Sequence, residues 1–334
     1  MRVLITGGAG YLGSILVQKL LAANTTNKHS IKGTKTFDAD THNLDIEKVI
    51  VYDNLMYKQV CLTDYCYRGD FEFVHGDVRD WNKLKKYVEE ADVIIPLAAI
   101  VGFPACEKDK DLAYQVNTQQ ILNILSIKKD TQKLIFPNTN SGYGIGQAGV
   151  YCTEETPLNP ISIYGITKCK SEEAILNAKQ GVTLRLATVF GVSPRMRLDL
   201  LVNDFVYKAI NDGYLVLFEK DFKRNFIHIH DVALTFIYMI NNYEQHIGQA
   251  FNVGLTSANL SKEELAIQIK NHLPELVIKS DEYKTDPDKR NYIVSNDKLE
   301  KTGWKPYYSL DDGIKELIKA YQIILNNNRQ YTNL

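Results

Sequence analysis

The sequence predicts an α/β fold, a doubly wound parallel sheet of the Rossmann type with a smaller C-terminal lobe. First, a short apolar strand at the N-terminus leads into a glycine-rich turn and then a helical pattern. Second, strands alternate with helical patterns over 1–190, which is typical of a parallel sheet covered by helices on both faces. Third, the alternation loosens afterwards, so we expect a substrate-binding lobe over 191–334, with 226–252 returning to the first domain.

The first strand and its glycine turn form a candidate dinucleotide site. Arg2–Thr6 is a short apolar run with β-branched residues, which indicates a buried strand. Helical spacing of apolar residues begins at Leu12, so backbone N–H groups and a helix dipole would face a phosphate there. The alternative is a glycine-rich turn in another kind of α/β protein. The residues expected to hold the pyrophosphate are Gly7, Gly10, Tyr11, Leu12 and Gly13.

An acidic residue is expected at the end of the second strand, where it would bind the adenosine ribose. The next strand ends at Asp53, which lies too far along the chain unless 24–47 is an inserted surface loop. A carboxylate at this place accepts from both ribose hydroxyls and repels a 2′-phosphate, so NAD is favoured over NADP. The alternative is that Asp53 is only a turn residue.

Four more strands and three helices complete the predicted sheet. We expect the strands at 71–74, 91–99, 133–136 and 182–186, and the helices at 81–89, 112–128 and 164–179. In such sheets the ligand binds outside the carboxyl ends of the strands. The polar segments described next all follow strand ends, where that fold would place a site.

A tyrosine and a lysine provide a candidate general base. Tyr164 and Lys168 form the one Tyr-x-x-x-Lys in the chain, about twenty residues after the segment 139–144 that begins with Thr139. Residues four apart share one face of a helix, so the ammonium would lie below the phenol. Both that charge and the helix N-terminus would lower the phenol pKa from its usual value near 10. Tyr164 could then remove a hydroxyl proton near neutral pH, beside a nicotinamide that takes the hydride. The alternative is an exposed pair on a helix.

These segments resemble the extended short-chain dehydrogenase/reductase superfamily, and specifically its nucleotide-sugar epimerase/dehydratase group. The resemblance covers nearly the whole chain and implies NAD as cofactor and a nucleotide-sugar as substrate. Its motifs are TGGAGYLGS near the start, GDV at 76–78, PLAA at 96–99, LRLATVFG at 184–191, RNFIHIHDVA at 224–233 and the later DKL and TGWKP.

The resemblance also implies roles for single residues. Tyr164 would act on the substrate hydroxyl, Thr139 would bridge that hydroxyl and the phenol, and Lys168 would bind the nicotinamide ribose. Arg224 and Arg290 resemble the arginines that clamp the phosphates of the nucleotide. The remaining cofactor contacts would come from residues after the third and fourth strands, with Asp77 facing the adenine: Asp77, Val78, Leu97, Ala98 and Ala99.

Two positions depart from the 4,6-dehydratases of this group. The sequence pattern of those enzymes has Thr-Asp-Glu at the position where this chain has Thr139, Asn140 and Ser141. Elimination of water requires an acid and a base of that kind. The 3,5-epimerases place a cysteine at Ser141. We therefore expect Asn140 and Ser141 to contact the substrate in a reaction confined to carbon 4.

Two reactions remain open, a 4-epimerase or a 4-dehydrogenase that releases a 4-keto sugar. The amino-acid sequence at 96–106 and 139–144 resembles that of the GDP-heptose branch of dehydrogenases. A third alternative is a catalytically silent NAD-binding sensor, but the presence of both Tyr164 and Lys168 favours an enzyme.

Composition excludes several other classes. A net charge of −1 favours neither nucleic acid nor a membrane surface as partner. Apolar runs are too short to span a bilayer, and the first strand begins at once, so no signal peptide is expected. Five scattered cysteines indicate reduced thiols and a cytoplasmic protein. His228 and His230, expected on one strand, lack a third ligand at recognisable spacing, so we expect no metal. We expect a homodimer.

Overall fold

The computed structural model describes residues 1–24, 43–281 and 290–324. Most of the insertion predicted at 24–47 lies outside the described residues. The strands are β1 Arg2–Thr6, β2 Lys48–Asp53, β3 Phe71–His75, β4 Val93–Pro96, β5 Lys133–Thr139, β6 Tyr151–Cys152, β7 Val182–Leu186, β8 Thr188–Phe190, β9 Tyr214–Phe218, β10 Lys223–His228, β11 Ala250–Val253, β12 Asn259–Ser261, β13 Val277–Asp281 and β14 Ile293–Val294. The helices are α1 Tyr11–Ala23, α2 Trp81–Glu90, α3 Phe103–Lys108, α4 Lys110–Tyr114, α5 Gln120–Ile127, α6 Ile163–Ala178, α7 Leu201–Asn211, α8 Ile229–Asn241, α9 Tyr243–His246, α10 Lys262–His272, α11 Asp297–Glu300 and α12 Leu310–Ile324.

Seven strands form one parallel sheet in the order β11-β7-β5-β4-β1-β2-β3. The order reverses at β1, because β2 and β3 lie to one side of it and β4 to the other. In an open parallel sheet, a crevice forms at this point outside the carboxyl ends of the strands. The predicted doubly wound Rossmann-type sheet is confirmed, and its crevice is where the site should lie.

The sheet is buried on both faces. Val3 and Ile5 of β1 pack in the cluster that includes α1 and α8, while Leu4 packs in the opposite cluster with α2 and α5. Successive strand residues point to opposite faces, so a strand covered on both sides needs apolar residues at every position. This is why β1 is a continuous apolar run rather than an alternating one.

The later part of the chain contributes most strands of three smaller sheets and one edge strand of the large sheet. The small sheets have the orders β12-β10-β8, β13-β9 and β14-β6. β11 pairs with β7 at the edge of the large sheet, and α8 packs against α1. None of the helices in the described ranges has both the length and the apolar character required to cross a bilayer.

The helix predicted at 112–128 is interrupted. α4 and α5 are separated by the π-helical turn Gln115–Gln119. Within it, Asn117 Nδ2 donates to the Ile100 carbonyl at 3.0 Å and to Thr167 Oγ1 at 3.1 Å, and Asn117 Oδ1 accepts from the Ile100 N–H at 2.8 Å. Such turns often occur at functional sites. Periodicity did not reveal it, because its bonds are to residues distant in the chain.

His228 and His230 do not share a strand, so that prediction was wrong. β10 ends at His228, and His230 lies in the first turn of α8. His228 Nδ1 accepts from the His230 N–H at 3.3 Å, so its side chain caps the helix. Nε2 of His228 lies 2.6 Å from a carboxylate oxygen of Glu316. No group of three or more metal-ligating side chains was found within the described ranges.

Candidate active site

A cleft of about 670 Å³ opens at the carboxyl ends of the large sheet. The residues on its walls come from both halves of the chain. All of the predicted site residues except Asn140 are among them: Gly7, Gly10, Tyr11, Leu12, Gly13, Asp53, Asp77, Val78, Leu97, Ala98, Ala99, Thr139, Ser141, Tyr164, Lys168, Arg224 and Arg290. The fold thus brings together segments that are far apart in the sequence.

The glycine turn has the close packing that a dinucleotide requires. Gly7 has a φ of +71°, and a Cβ on it would lie 2.5 Å from the backbone nitrogen of Ala98. A Cβ on Gly13 would lie 2.5 Å from the Gly7 carbonyl oxygen. α1 begins after Gly10 with no cap from a described side chain and no acidic residue in its first turn. The positive end of this helix therefore faces the cleft without an acidic residue in its own first turn.

Asp53 is buried at the end of β2, next to the glycine turn. The side chain is 7% exposed, and Oδ2 accepts from the Ala9 N–H at 3.0 Å. Oδ1 accepts from the Leu55 N–H at 2.8 Å, which is an Asx turn. Burial raises the pKa of this carboxyl group. Asp53 is therefore a turn residue and also lies on the cleft wall beside the glycine turn.

Asp77 is held by an arginine that sequence reasoning missed. The Arg79 guanidinium donates to both carboxylate oxygens, at 2.9 and 2.8 Å, and Asn54 Nδ2 donates to Oδ2 at 3.2 Å. The hydrogen bonds from Arg79 lower the pKa of Asp77 to about 2. Asp77 is thus an ionised acceptor on the cleft wall. The sequence signal for this contact was Arg79 two positions after Asp77 in a loop, because Asp side chains often accept from groups two residues further on.

Tyr164 and Lys168 lie on the first two turns of α6. Ser162 Oγ caps this helix by accepting from the Gly165 N–H at 3.2 Å, which fixes where it starts. Lys168 is 3% exposed, and its Nζ lies 3.9 Å from the centre of the Phe136 ring. The pair therefore occupies one face of the helix, at the cleft, as the spacing predicted.

Their pKa values differ from the prediction. Burial raises the pKa of Tyr164 to about 12, although the charges of Arg197 and Arg290 lower it. Burial also lowers the pKa of Lys168 to about 7. The expectation of a lowered phenol pKa was wrong for the protein alone, because the phenolate and the ammonium both lose solvation on burial.

The hydroxyl of Thr139 points to Ser141. Thr139 Oγ1 donates to Ser141 Oγ at 2.9 Å and accepts from the Ser141 N–H at 3.1 Å. Arg290 Nη1 donates to the same Ser141 oxygen. The expected bridge from Thr139 to Tyr164 would therefore require the threonine hydroxyl to rotate away from Ser141.

Two arginines of the cleft were not predicted. Arg195 is 4% exposed with its guanidinium 4.7 Å from the Tyr57 ring centre, and Arg197 pairs with Asp199 at 2.6 Å. Together with Arg224, 4% exposed, they add positive charge to the wall, which attracts phosphates. They were missed because the segment after β8 is irregular and shows no periodicity.

Asn140 is the predicted substrate-binding residue that does not line the cleft. It is 1% exposed, and neither its Nδ2 nor its Oδ1 has a hydrogen-bond partner in the described part of the chain. A buried amide in that condition costs free energy. The neighbours on either side, Thr139 and Ser141, are the residues of this turn that reach the cleft.

Comparisons with known proteins agree with this geometry. A family model described as "NAD dependent epimerase/dehydratase family" matches residues 3–254. A putative UDP-glucose 4-epimerase of Methanocaldococcus jannaschii is 27% identical over 98% of this chain and 99% of its own. A Bacillus cereus UDP-glucuronic acid 4-epimerase, solved with UDP-glucuronic acid and NAD, has a TM-score of 0.80 and 23% identity over 97% of this chain and 100% of its own. The Streptomyces venezuelae dTDP-glucose 4,6-dehydratase DesIV has a TM-score of 0.79 and 23% identity over 100% of this chain and 99% of its own.

Proposed function

The chain belongs to the NAD dependent epimerase/dehydratase family, and we propose that it is a nucleotide-sugar 4-epimerase. Its cofactor is NAD. The glycine turn and Asp53 fit a dinucleotide, because the packing around Gly7 leaves no room for a side chain. We assign the cofactor to 1–190 with 226–252, and the nucleotide-sugar to the lobe formed by 191–334.

In this proposal Tyr164 is the general base and acid of the reaction at carbon 4. When bound, NAD supplies a two-electron acceptor that takes a hydride from carbon 4 and can return it, and it carries a positive charge on the nicotinamide ring. The Tyr164 oxygen takes the proton of the 4-hydroxyl during oxidation and gives it back during reduction. A nearby positive charge favours the phenolate, and Lys168 in the next helical turn binds the ribose. Carbon 4 would be inverted if the cofactor returned the hydride to the opposite face of the sugar.

Substrate binding follows from the positive wall of the cleft. Arg224 and Arg290 bind the diphosphate, since a guanidinium donates in parallel to phosphate oxygens. Thr139 and Ser141 offer hydroxyls that both donate and accept, which suits contact with sugar hydroxyl groups. We propose that Asn140 affects substrate binding indirectly, through the shape of the turn that it shares with Ser141.

The observation that carries the choice of carbon-4 chemistry over water elimination is the hydroxyl pair of Thr139 and Ser141. Elimination of water from carbons 5 and 6 requires a proton donor and an acceptor at this turn. Neither a serine hydroxyl nor the buried amide of Asn140 provides an acid or a base near neutral pH. Chemistry confined to carbon 4 needs neither of them.

The test is a product analysis with UDP-, GDP-, dTDP- and CDP-hexoses, using the purified protein with its bound NAD. We expect a product of unchanged mass with carbon 4 inverted, as seen by NMR, and no accumulation of NADH. Deuterium at carbon 4 should remain in the product, because the hydride returns to the sugar that lost it. The Tyr164→Phe variant is the control for background conversion.

Two other products would contradict the proposal. A product lighter by about 18 mass units, from loss of one water, would identify a dehydratase. A 4-keto sugar formed with stoichiometric NADH would identify a 4-dehydrogenase, and GDP-heptose belongs in the panel for that reason. NAD binding with no product from any nucleotide-sugar would favour a silent sensor.

A further inference from the structure

A buried carboxylate lies on the catalytic helix but outside the cleft walls. Glu172 follows Lys168 by one turn of α6 and is 1% exposed. Its Oε1 accepts from Arg185 Nε at 2.9 Å and pairs with Arg185 Nη2 at 2.8 Å. Its Oε2 accepts from Asn138 Nδ2 at 2.8 Å and from Thr183 Oγ1 at 2.9 Å. Two strands of the sheet therefore donate to one carboxylate of the helix.

These bonds connect the helix to the segment that contains Thr139. Asn138 is the residue before Thr139 on β5, so one end of the segment is bound directly to Glu172. Arg185 Nη1 donates to the Tyr143 hydroxyl oxygen at 3.0 Å. Tyr143 ends the short helical turn that follows Thr139. Both ends of the segment are thus attached to the same ion pair.

Stability alone is a weak explanation for this pair. A buried ion pair must compensate for the lost hydration of two charges, and apolar side chains of similar volume are often as stabilising. What apolar packing does not provide is a fixed direction, since hydrogen bonds hold atoms to within a few tenths of an ångström. Four donor atoms contact the two carboxylate oxygens of Glu172, two from the guanidinium and one from each of two other strand side chains.

We propose that Glu172 and Arg185 form a positioning pair, which sets Tyr164 on α6 at the correct distance and angle from Thr139 on β5. This inference rests on the proposed function, because it assumes that the two hydroxyls act on one substrate. Neither side chain of the pair touches the substrate. The pair acts through the elements that it joins.

Glu172 has a second effect, on the charge of Lys168. Cys169 and Glu172 are the two groups that raise the pKa of Lys168, against burial, which lowers it. Burial raises the pKa of Cys169 to about 12, so that thiol is neutral near pH 7. The carboxylate of Glu172 therefore favours the charged form of Lys168.

The experiment is a double-mutant cycle between Glu172→Gln and Tyr164→Phe, which separates positioning from stability. In the otherwise unchanged protein, Glu172→Gln should lower kcat about 10- to 100-fold, the cost of a displacement near 1 Å. The KM for the nucleotide-sugar and the Kd for NAD should change less than about 3-fold. In the Tyr164→Phe background the same change should cost less than about 3-fold, because the group to be positioned is gone. Equal losses in both backgrounds would overturn the proposal.

Matched variants serve as controls for this cycle. Glu173→Gln removes an exposed carboxylate from the next position of the same helix and should leave kcat unchanged. If Glu172→Gln does not fold, Tyr143→Phe removes one hydroxyl at the far end of the network, with an expected loss in kcat of about 2- to 10-fold. That variant should show the same non-additivity with Tyr164→Phe, and additivity would count against the positioning pair.

A measurement without substrate separates this inference from the proposed function. If the unchanged protein turns over no nucleotide-sugar, the proposed function fails, and crystal structures of the unchanged protein and of Glu172→Gln still test the pair. The distance between the Tyr164 hydroxyl and Thr139 Oγ1 should change by about 1 Å in the variant, because the carboxylate that joins the helix to the strands is gone. An unchanged distance would overturn the proposal.

Discussion

The carboxylate of Asp53 accepts a hydrogen bond of 3.0 Å from the backbone N–H of Ala9, so the end of β2 is attached to the glycine turn. Its other oxygen holds the N–H of Leu55 in the loop that follows. One side chain therefore supports two backbone segments that border the proposed cofactor site. A change at Asp53 should affect both the choice of cofactor and the stability of the turn.

The first prediction concerns cofactor preference. The unchanged protein should bind NAD much more tightly than NADP, because a carboxylate at Asp53 repels a 2′-phosphate. Asp53→Ala should narrow this ratio by about 10-fold or more, the effect of removing a hydrogen bond to a charged group. Calorimetric titration with both cofactors measures the ratio. Asp64→Asn, an exposed change in the following loop, is the control, and equal affinities in the unchanged protein would leave Asp53 as a turn residue only.

The second prediction concerns the general base. Tyr164→Phe should fold and bind NAD with unchanged affinity, because it removes one oxygen from the cleft wall. Turnover should fall about 10²- to 10⁴-fold, the usual contribution of a positioned general base. Tyr214→Phe, at an exposed position of β9, should retain full turnover. Retention of turnover by Tyr164→Phe would refute the assignment.

The third prediction concerns Lys168 and the pH dependence of stability. The pKa of Lys168 is about 7 in the folded protein without cofactor, below the usual 10.5. Between these values the unfolded chain binds one more proton, so the free energy of unfolding rises with pH. The penalty of the buried charge is fully present below about pH 7 and vanishes above about pH 10.5.

Lys168→Met should therefore be more stable than the unchanged protein at pH 6, with a difference that shrinks towards pH 10. Urea unfolding of both proteins without NAD, at unit steps of pH, measures this difference. The variant should also bind NAD more weakly and turn over more slowly. A difference in stability that is constant with pH would contradict the buried, titrating lysine.

The fourth prediction concerns the positive wall. Arg224→Gln and Arg290→Gln should each raise the KM for the nucleotide-sugar about 10- to 100-fold, the contribution of a charged hydrogen bond to phosphate. The affinity for NAD should be nearly unchanged. Lys315→Gln, which removes a positive charge from the surface of α12, is the control. Equal weakening of NAD and nucleotide-sugar by the arginine variants would place these arginines at the cofactor instead.

The sequence was sufficient to predict the features that depend only on residues close together in the chain. The strand and glycine turn around Gly7 were predictable, because close backbone packing admits only glycine. The position of Tyr164 and Lys168 on one helix face was predictable as well, because residues four apart share a face. Their pKa values were not predictable, since burial depends on side chains from other elements. The charges of Arg195 and Glu172 were missed because a charged residue shows its burial only in the folded chain.

The wider turn at 115–119 gives the chain an extra residue between α4 and α5, with a consequence for the rotation of one helix against the other. In a regular helix each residue turns the chain by about 100°. Deletion of Gln119 could restore a regular helix, but it would rotate α4 by about that angle around its own axis. Leu112 and Ala113 would then leave the apolar cluster that they share with α2. We expect such a deletion to lower the free energy of unfolding far more than an alanine substitution at the same residue does.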